Sequence, residues 1–242
     1  MAFSGIKNIN ITSRNPSTLI KDFMMFTNNR QSLNLYFGTE ENVDLVIPSS
    51  CTSIGGLTFA EKSINTLIFS DNENLVIGDS CFSGSKLKSI SFPSGLKSLG
   101  KSCFNKCSFL TSVSLDNTQI TTIPDFCFQD CVLLNSIRLP STVVCIGQYA
   151  FSNCYSIGDI GIDSTNLVNI SQYAFYRSGI SSCGLKPTFK SIDKYAFKES
   201  NLTSLTISCN TIEYECFKSC INLESAAFGE GLITISDNSF IP

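Results

Sequence analysis

An aliphatic residue stands five positions before a phenylalanine nine times in this chain, and the offset never varies. The phenylalanines are Phe59, Phe82, Phe104, Phe128, Phe151, Phe175, Phe197, Phe217 and Phe240, at intervals of 20 to 24 residues. Their aliphatic partners are Ile54, Ile77, Leu99, Ile123, Ile146, Ile170, Ile192, Ile212 and Ile235. A period of this length marks a solenoid, in which each repeat is one turn of a stacked coil. No single copy can bury its own apolar face, so its neighbours must do so.

A second pattern precedes each of these pairs. The segments "DLVIP" (44–48), "SISFP" (89–93), "SVSLD" (112–116), "SIRLP" (136–140) and "SLTIS" (204–208) alternate apolar and polar residues. Period-two alternation with β-branched and aromatic residues predicts a short strand. Strands of adjacent coils lie ~4.8 Å apart, so nine coils make a rod roughly 40–45 Å long. Pro48, Pro93 and Pro140 sit just past the strand, where no ladder N–H is needed. Gly55, Gly78, Gly100 and Gly147 follow the aliphatic residue at a bend, where a missing Cβ helps. Around each phenylalanine a helical turn or 3₁₀ piece is expected on the opposite flank.

The unit "LLNSIRLPSTVVCIGQYAFSNC" (133–154) resembles the BspA-like, or Treponema pallidum-type, leucine-rich repeats. Their unit runs Leu-x-x-Ile-x-Leu-Pro-x-x-Val-x-x-Ile-Gly-x-x-Ala-Phe-x-x-Cys, and the resemblance covers about residues 42–240. It implies a repeat solenoid of the leucine-rich-repeat type, with parallel β-strands on one face and short turns, 3₁₀ or helical segments opposite, in about nine coils. Departures from the unit include Cys183 in the strand ladder, and Glu213 and Ser236 where the glycine would stand in the last two coils. The resemblance also implies a non-catalytic binding module for protein–protein or cell-surface adhesion contacts, placed at the surface or secreted.

Residues 1–41 lack the period and are expected to cap the solenoid of residues 42–242. Within them "NPSTLIKDFMMFTNN" predicts a short helix after Asn15 or Ser17, and "SLNLYF" (32–37) a strand. The chain stops two residues after Phe240 with no polar capping segment. That points to a piece of a longer array, or to self-association through an uncapped last coil.

Composition narrows the function classes. With 17 basic and 20 acidic residues the net charge is −3, and no basic stripe is present to release counterions from a nucleic acid. The chain has no histidine, which removes Ser-His-Asp and Cys-His catalysis. Asp116, Asp125, Asp130 and Asp159 show no pairing, so a histidine-independent enzyme is only a remote alternative. No apolar run is long enough to span a bilayer, so membrane insertion is not expected. No signal peptide is visible, which, with many unpaired thiols, favours the cytoplasm. That conflicts with the surface location implied by the resemblance, and both stay open.

The twelve cysteines sort by repeat position. One residue before the phenylalanine stand Thr58, Cys81, Cys103, Cys127, Ala150, Ala174, Ala196, Cys216 and Ser239. Three residues after it stand Lys62, Ser85, Cys107, Cys131, Cys154, Ser178, Ser200 and Cys220. Alternation with Ala, Ser and Thr points to a demand for small volume, because free cysteine packs as a small hydrophobe. A four-sulfur zinc site on Cys103, Cys107, Cys127 and Cys131 is disfavoured, because stacked columns run parallel and tetrahedral ligands must converge. Neither cofactor nor metal is expected. Cys51, Cys145 and Cys209 lie outside these columns and are the candidates for reactive thiols.

Function is expected on the outward face of the strands. Its two columns contain Ser89, Ser112, Ser136, Asp159, Ser182 and Ser204, and Ser91, Ser114, Arg138 and Thr206. This hydroxyl-rich, weakly charged surface would suit a protein or glycan ligand. Arg138 is its only residue of the types that favour interface hot spots. An intracellular scaffold or self-associating array is the alternative. Tyr149, Tyr173 and Tyr195 share a further column with Phe126, two before the phenylalanine, where partial packing is expected.

Overall fold

The computed structural model describes residues 19–39, 41–186, 189–209, 211–230 and 234–242, and statements about structure refer to these. Asn15 and Ser17 lie outside them. The chain winds into about nine coils whose apolar columns form one continuous core.

The phenylalanine column is the spine of that core. Phe59 through Phe217 are almost wholly buried. From Phe59 to Phe240, successive rings stack with centroids 5.0–5.4 Å apart and planes within 15° of parallel. Tyr36 packs on the first ring at 5.5 Å.

Most coils contribute to two parallel ladders. The first contains the anticipated strands. Val43–Ile47 pairs with Ile64–Phe69, and Ser112–Ser114 pairs with both Ser89–Ser91 and Ser136–Arg138. Further on, Ser204–Ile207 pairs with Ser182–Gly184 and Ser225–Phe228. The second ladder runs through the aliphatic residues five before each phenylalanine, where the sequence pointed only to a bend. Short strands such as Thr122–Ile123, Cys145–Ile146 and Asn169–Ile170 pair in register. In most coils the residue after the aliphatic one donates back to the previous coil, as from Gly78 N to the Ile54 carbonyl at 2.8 Å. A Cβ on Gly78 or Gly100 would lie 2.5 or 2.4 Å from the preceding coil's backbone, so this approach requires glycine.

The phenylalanine segments are not helical, contrary to the expectation. Each is a pair of successive turns, as in Asn105 N to Ser102 O (3.0 Å) and Cys107 N to Phe104 O (3.0 Å). The cause is backbone conformation. Residues two before and two after the phenylalanine adopt positive φ, for example Ser102 (56°) and Lys106 (59°) around Phe104. Left-handed residues interrupt a helix and turn alternate N–H groups along the stack. The phenylalanine N–H then donates to the next coil at 2.7–2.9 Å, as from Phe104 to Cys127 and from Phe151 to Ala174. Eight coils accept this strain, and only one of their later positive-φ positions, Gly84, is glycine.

The expected N-terminal helix is likewise corrected over its described part. Leu19–Lys21 and Met24–Thr27 form an antiparallel hairpin that continues onto Ser32–Tyr36. Between the first two strands, Asp22 and Phe23 take positive φ, which a helix cannot accommodate. Ser32–Tyr36 then pairs in parallel with Ser53–Ile54, carrying the second ladder one rung further to Leu33.

Candidate functional site

Most of the sequence-derived candidate residues stand on the first ladder, where pairing brings them into two patches. Ser89, Ser112 and Ser136 are directly opposite one another, as are Ser91, Ser114 and Arg138. Their side chains point away from Ile90, Val113 and Ile137, which are buried. Ser182 pairs with Ser204, and Thr206 lies opposite Gly184, in the second patch.

The patches are separate because the sixth coil forms no strand in the first ladder. There Gly161 adopts φ 76° and is followed by a 3₁₀ turn, Ile162–Ser164. Asp159 accepts a hydrogen bond from the Gly161 N–H at 2.8 Å, and Ser164 Oγ donates to the Gly161 carbonyl at 2.7 Å. These local bonds compete with strand pairing. Asp159 also meets Arg138 at 3.1 Å, so the charge on this face is a paired bridge at the interruption. An ion pair this exposed contributes little stability.

The other end of the same face is apolar. Val46 and Ile68 are directly paired, 54% and 49% exposed, and occupy the column that continues as Ser91, Ser114 and Arg138. Both residues were visible in the column, but their value as an apolar patch was missed beside the serines.

Three of the carboxylates singled out in the sequence, Asp125, Asp130 and Asp159, brace coils. Asp125 binds Lys101 at 2.8 Å and accepts from the Gln148 N–H at 3.0 Å, while Asp130 accepts from Asn153 Nδ2 at 2.7 Å. The tyrosine column is a half-buried stack, with Tyr149, Tyr173 and Tyr195 rings 4.7 Å apart and Lys198 over Tyr195 at 5.2 Å. Burial raises the phenol pKa of Tyr149 and Tyr173.

The thiols pack as small groups, but the column after the phenylalanine does more. Cys107, Cys131, Cys154 and Cys220 each donate S–H to the preceding coil's phenylalanine carbonyl, at 2.9, 3.1, 3.0 and 3.0 Å. Burial pushes Cys103 and Cys127 far above the ordinary thiol range. Two of the proposed reactive thiols are corrected. Cys51 and Cys209 are buried, donate to the Ser53 and Thr211 carbonyls, and have raised pKa values through desolvation. Cys145 alone of the twelve is half-buried.

A groove that the sequence reading did not find lies at the corner between the thiol column and the strand. That corner has three steps from Cys154 to Ile157 and from Cys220 to Leu223, but two from Ser178 to Ile180 and from Ser200 to Leu202. Two adjacent coils therefore recede between two fuller ones. The resulting groove has a volume of about 550 Å³, with Tyr155 on one wall and Ile221 on the other. The signal was present as unequal spacing, which alignment on the phenylalanine hides.

The repeat pattern itself decides the family. The BspA type leucine rich repeat region matches residues 31–157 and 121–241 in six copies. The chain belongs to this family. Among solved structures, this BspA-type array is similar to a leucine-rich repeat protein from Eubacterium ventriosum (TM-score 0.69, 20% identity), covering 79% of this chain and 52% of the other. It thus spans about half the length of that protein. It is also similar to a leucine rich cell surface protein from Faecalibacterium prausnitzii (TM-score 0.68, 20% identity), covering 95% of this chain and 75% of the other. At these identities the likeness establishes the fold. No curated protein matches the chain. The BspA-type match is to a repeat family, and no catalytic family is indicated.

Proposed function

We propose that this chain is a non-catalytic recognition module that binds a protein partner on its strand face. The observation that carries the reading is the exposed Val46–Ile68 pair in line with the hydroxyl ladder of Ser91 and Ser114. Protein interfaces combine an apolar anchor with a polar rim, and a rigid ladder loses little entropy on binding. The Arg138–Asp159 bridge limits the far end of the patch. A cell-surface or secreted setting is part of the proposal. Eleven of the twelve cysteines are buried, and buried thiols are poorly accessible to oxidants, so the cysteine count does not demand a reducing compartment. The cell-surface relative from F. prausnitzii supports that setting.

The test is affinity capture of surface and secreted proteins on the immobilised chain, compared with Ile68→Ser, Val46→Ser and Arg138→Glu variants. One captured protein should be lost with the first two substitutions and weakened by the third. Equal capture by all variants would remove the strand face from consideration.

A specific observation favours a second reading, self-association through the last coil. Every residue of Ser225–Phe228 is exposed, as are the side chains of Ile235 and Phe240 at the same end. Light scattering across a concentration series distinguishes the two, since only this reading requires mass to rise with concentration.

A further inference from the structure

The corner groove has the composition of a ligand site and lies apart from the strand residues invoked above. Tyr155, 57% exposed, and Ile221, 80% exposed, form its walls. Gly179 lies at the foot of the Tyr155 wall, where its N–H donates to the Cys154 carbonyl at 2.9 Å. A Cβ there would stand 2.1 Å from the Tyr155 carbonyl oxygen, so only glycine permits this fit. The floor is open because the residue is bare and the coil is one residue short.

The polar groups define the ligand chemistry. Ser178 lies beneath the groove, its side chain buried in the same inward column as Cys154 and Cys220, so the ligand-facing groups are those of the rim. Asn201 and Asn222 present linked side-chain amides along one edge. Arg177 donates Nε to Glu199 at 2.7 Å, and its guanidinium lies 5.0 Å over the Tyr176 ring. Arg177 is thereby neutralised, so the groove offers a dense set of donors and acceptors without net charge.

We propose that this groove binds a short neutral saccharide. Its volume of about 550 Å³ is within the range of small-ligand clefts. Hydroxyl-rich rings match the paired amides and the guanidinium–carboxylate pair, which together both give and take hydrogen bonds. The exposed face of Tyr155 offers an apolar platform for the C–H face of a sugar ring, its hydroxyl being held by a hydrogen bond to Asn153 Oδ1 at 3.4 Å. An anionic ligand is disfavoured because Glu199 already holds the cation.

The test titrates the full chain with neutral gluco-, galacto-, manno- and N-acetylhexosamine di- and trisaccharides, read by calorimetry and saturation-transfer NMR. At least one series should bind, and Tyr155→Ala and Asn201→Ala should each weaken it about tenfold or more. Tyr155→Phe keeps the ring and should retain binding, which separates loss of contact from misfolding. Ile68→Ser should leave saccharide binding unchanged, and Tyr155→Ala should leave strand-face capture unchanged, so the two sites fail independently. The proposal is overturned by absence of binding across the panel, by binding indifferent to Tyr155→Ala, or by binding confined to acidic glycans or peptides.

Discussion

Replacing Phe151 with alanine removes one ring from the middle of the stack, between Phe128 at 5.3 Å and Phe175 at 5.3 Å. The ring is fully buried. A phenylalanine carries at least ~150 Å² of apolar surface, which at ~25 cal/mol/Å² gives about 4 kcal/mol. Two lost ring pairs add roughly 1–3 kcal/mol, so the expected cost is about 5 kcal/mol, the top of the range for such truncations. Phe240 provides the internal control. It is 37% exposed and stacks in parallel on one neighbour, Phe217. Its truncation should cost roughly 3 kcal/mol on the same arithmetic. Urea unfolding followed by circular dichroism measures both, since the chain has no tryptophan to report on unfolding. A stack of coils holds together through nearest-neighbour contacts, so the Phe151→Ala transition should also broaden or split, with a smaller m-value. Equal losses for the two variants, or a loss below about 1.5 kcal/mol for Phe151→Ala, would refute the ring column as the spine of the core.

Further expectations concern the thiols and one buried carboxylate. Cys127→Ala should cost under about 1 kcal/mol, as Ala150 and Ala174 already fill that column, whereas Cys131→Ala should cost roughly 1 kcal/mol more through the lost bond to Phe104; equal costs would mean that bond is idle. With iodoacetamide under native conditions, Cys145 should be the one thiol alkylated, with Cys51 and Cys209 protected until unfolding; native labelling of Cys51 contradicts this. Glu215 bonds Lys198 at 2.9 Å and Lys218 at 3.0 Å, and these lysines depress its pKa from 4.5 to about 2. A depressed carboxylate stabilises the fold above its unfolded pKa, so stability should fall between about pH 4.5 and 2. Glu215→Gln should flatten that slope, and an unchanged acid profile would show that the lysine pair is inconsequential.

The sequence revealed much of the architecture because a ladder repeats its own evidence. Ile54 alone says little, but Ile54 through Ile235 at one offset from phenylalanine dictates a shared environment, and the first-ladder strands followed from alternation alone. What escaped was information that side-chain chemistry does not carry. Positive φ at Lys106 or Asp130 replaced a helix with turns, and neither residue type announces it. Asp159 and Gly161 dissolved a strand in a coil whose apolar pattern, Ile160 and Ile162, was intact. The hairpin at Leu19–Thr27 read as helical because its apolar run lacks alternation. On the candidate face the hydroxyl columns were legible, while exposure at Val46 and Ile68 depends on which neighbours a strand faces.

The corner after each phenylalanine turn can be written as a string of step counts, 2-2-3-3-3-2-2-3, from Lys62–Ile64 through Cys220–Leu223. Every three begins at a cysteine and closes with its own turn, as from Leu134 N to the Cys131 carbonyl at 3.1 Å; every two begins at serine or lysine. Neither value disturbs the rings or the ladders on either side. Surface relief in this molecule is thus set digit by digit, independently of the core. Inserting one residue after Ser178 should raise a floor, and deleting one after Cys131 should cut a new trench, with the ring stack unchanged. Such an array can acquire or lose a cleft through a single codon while remaining the same solid.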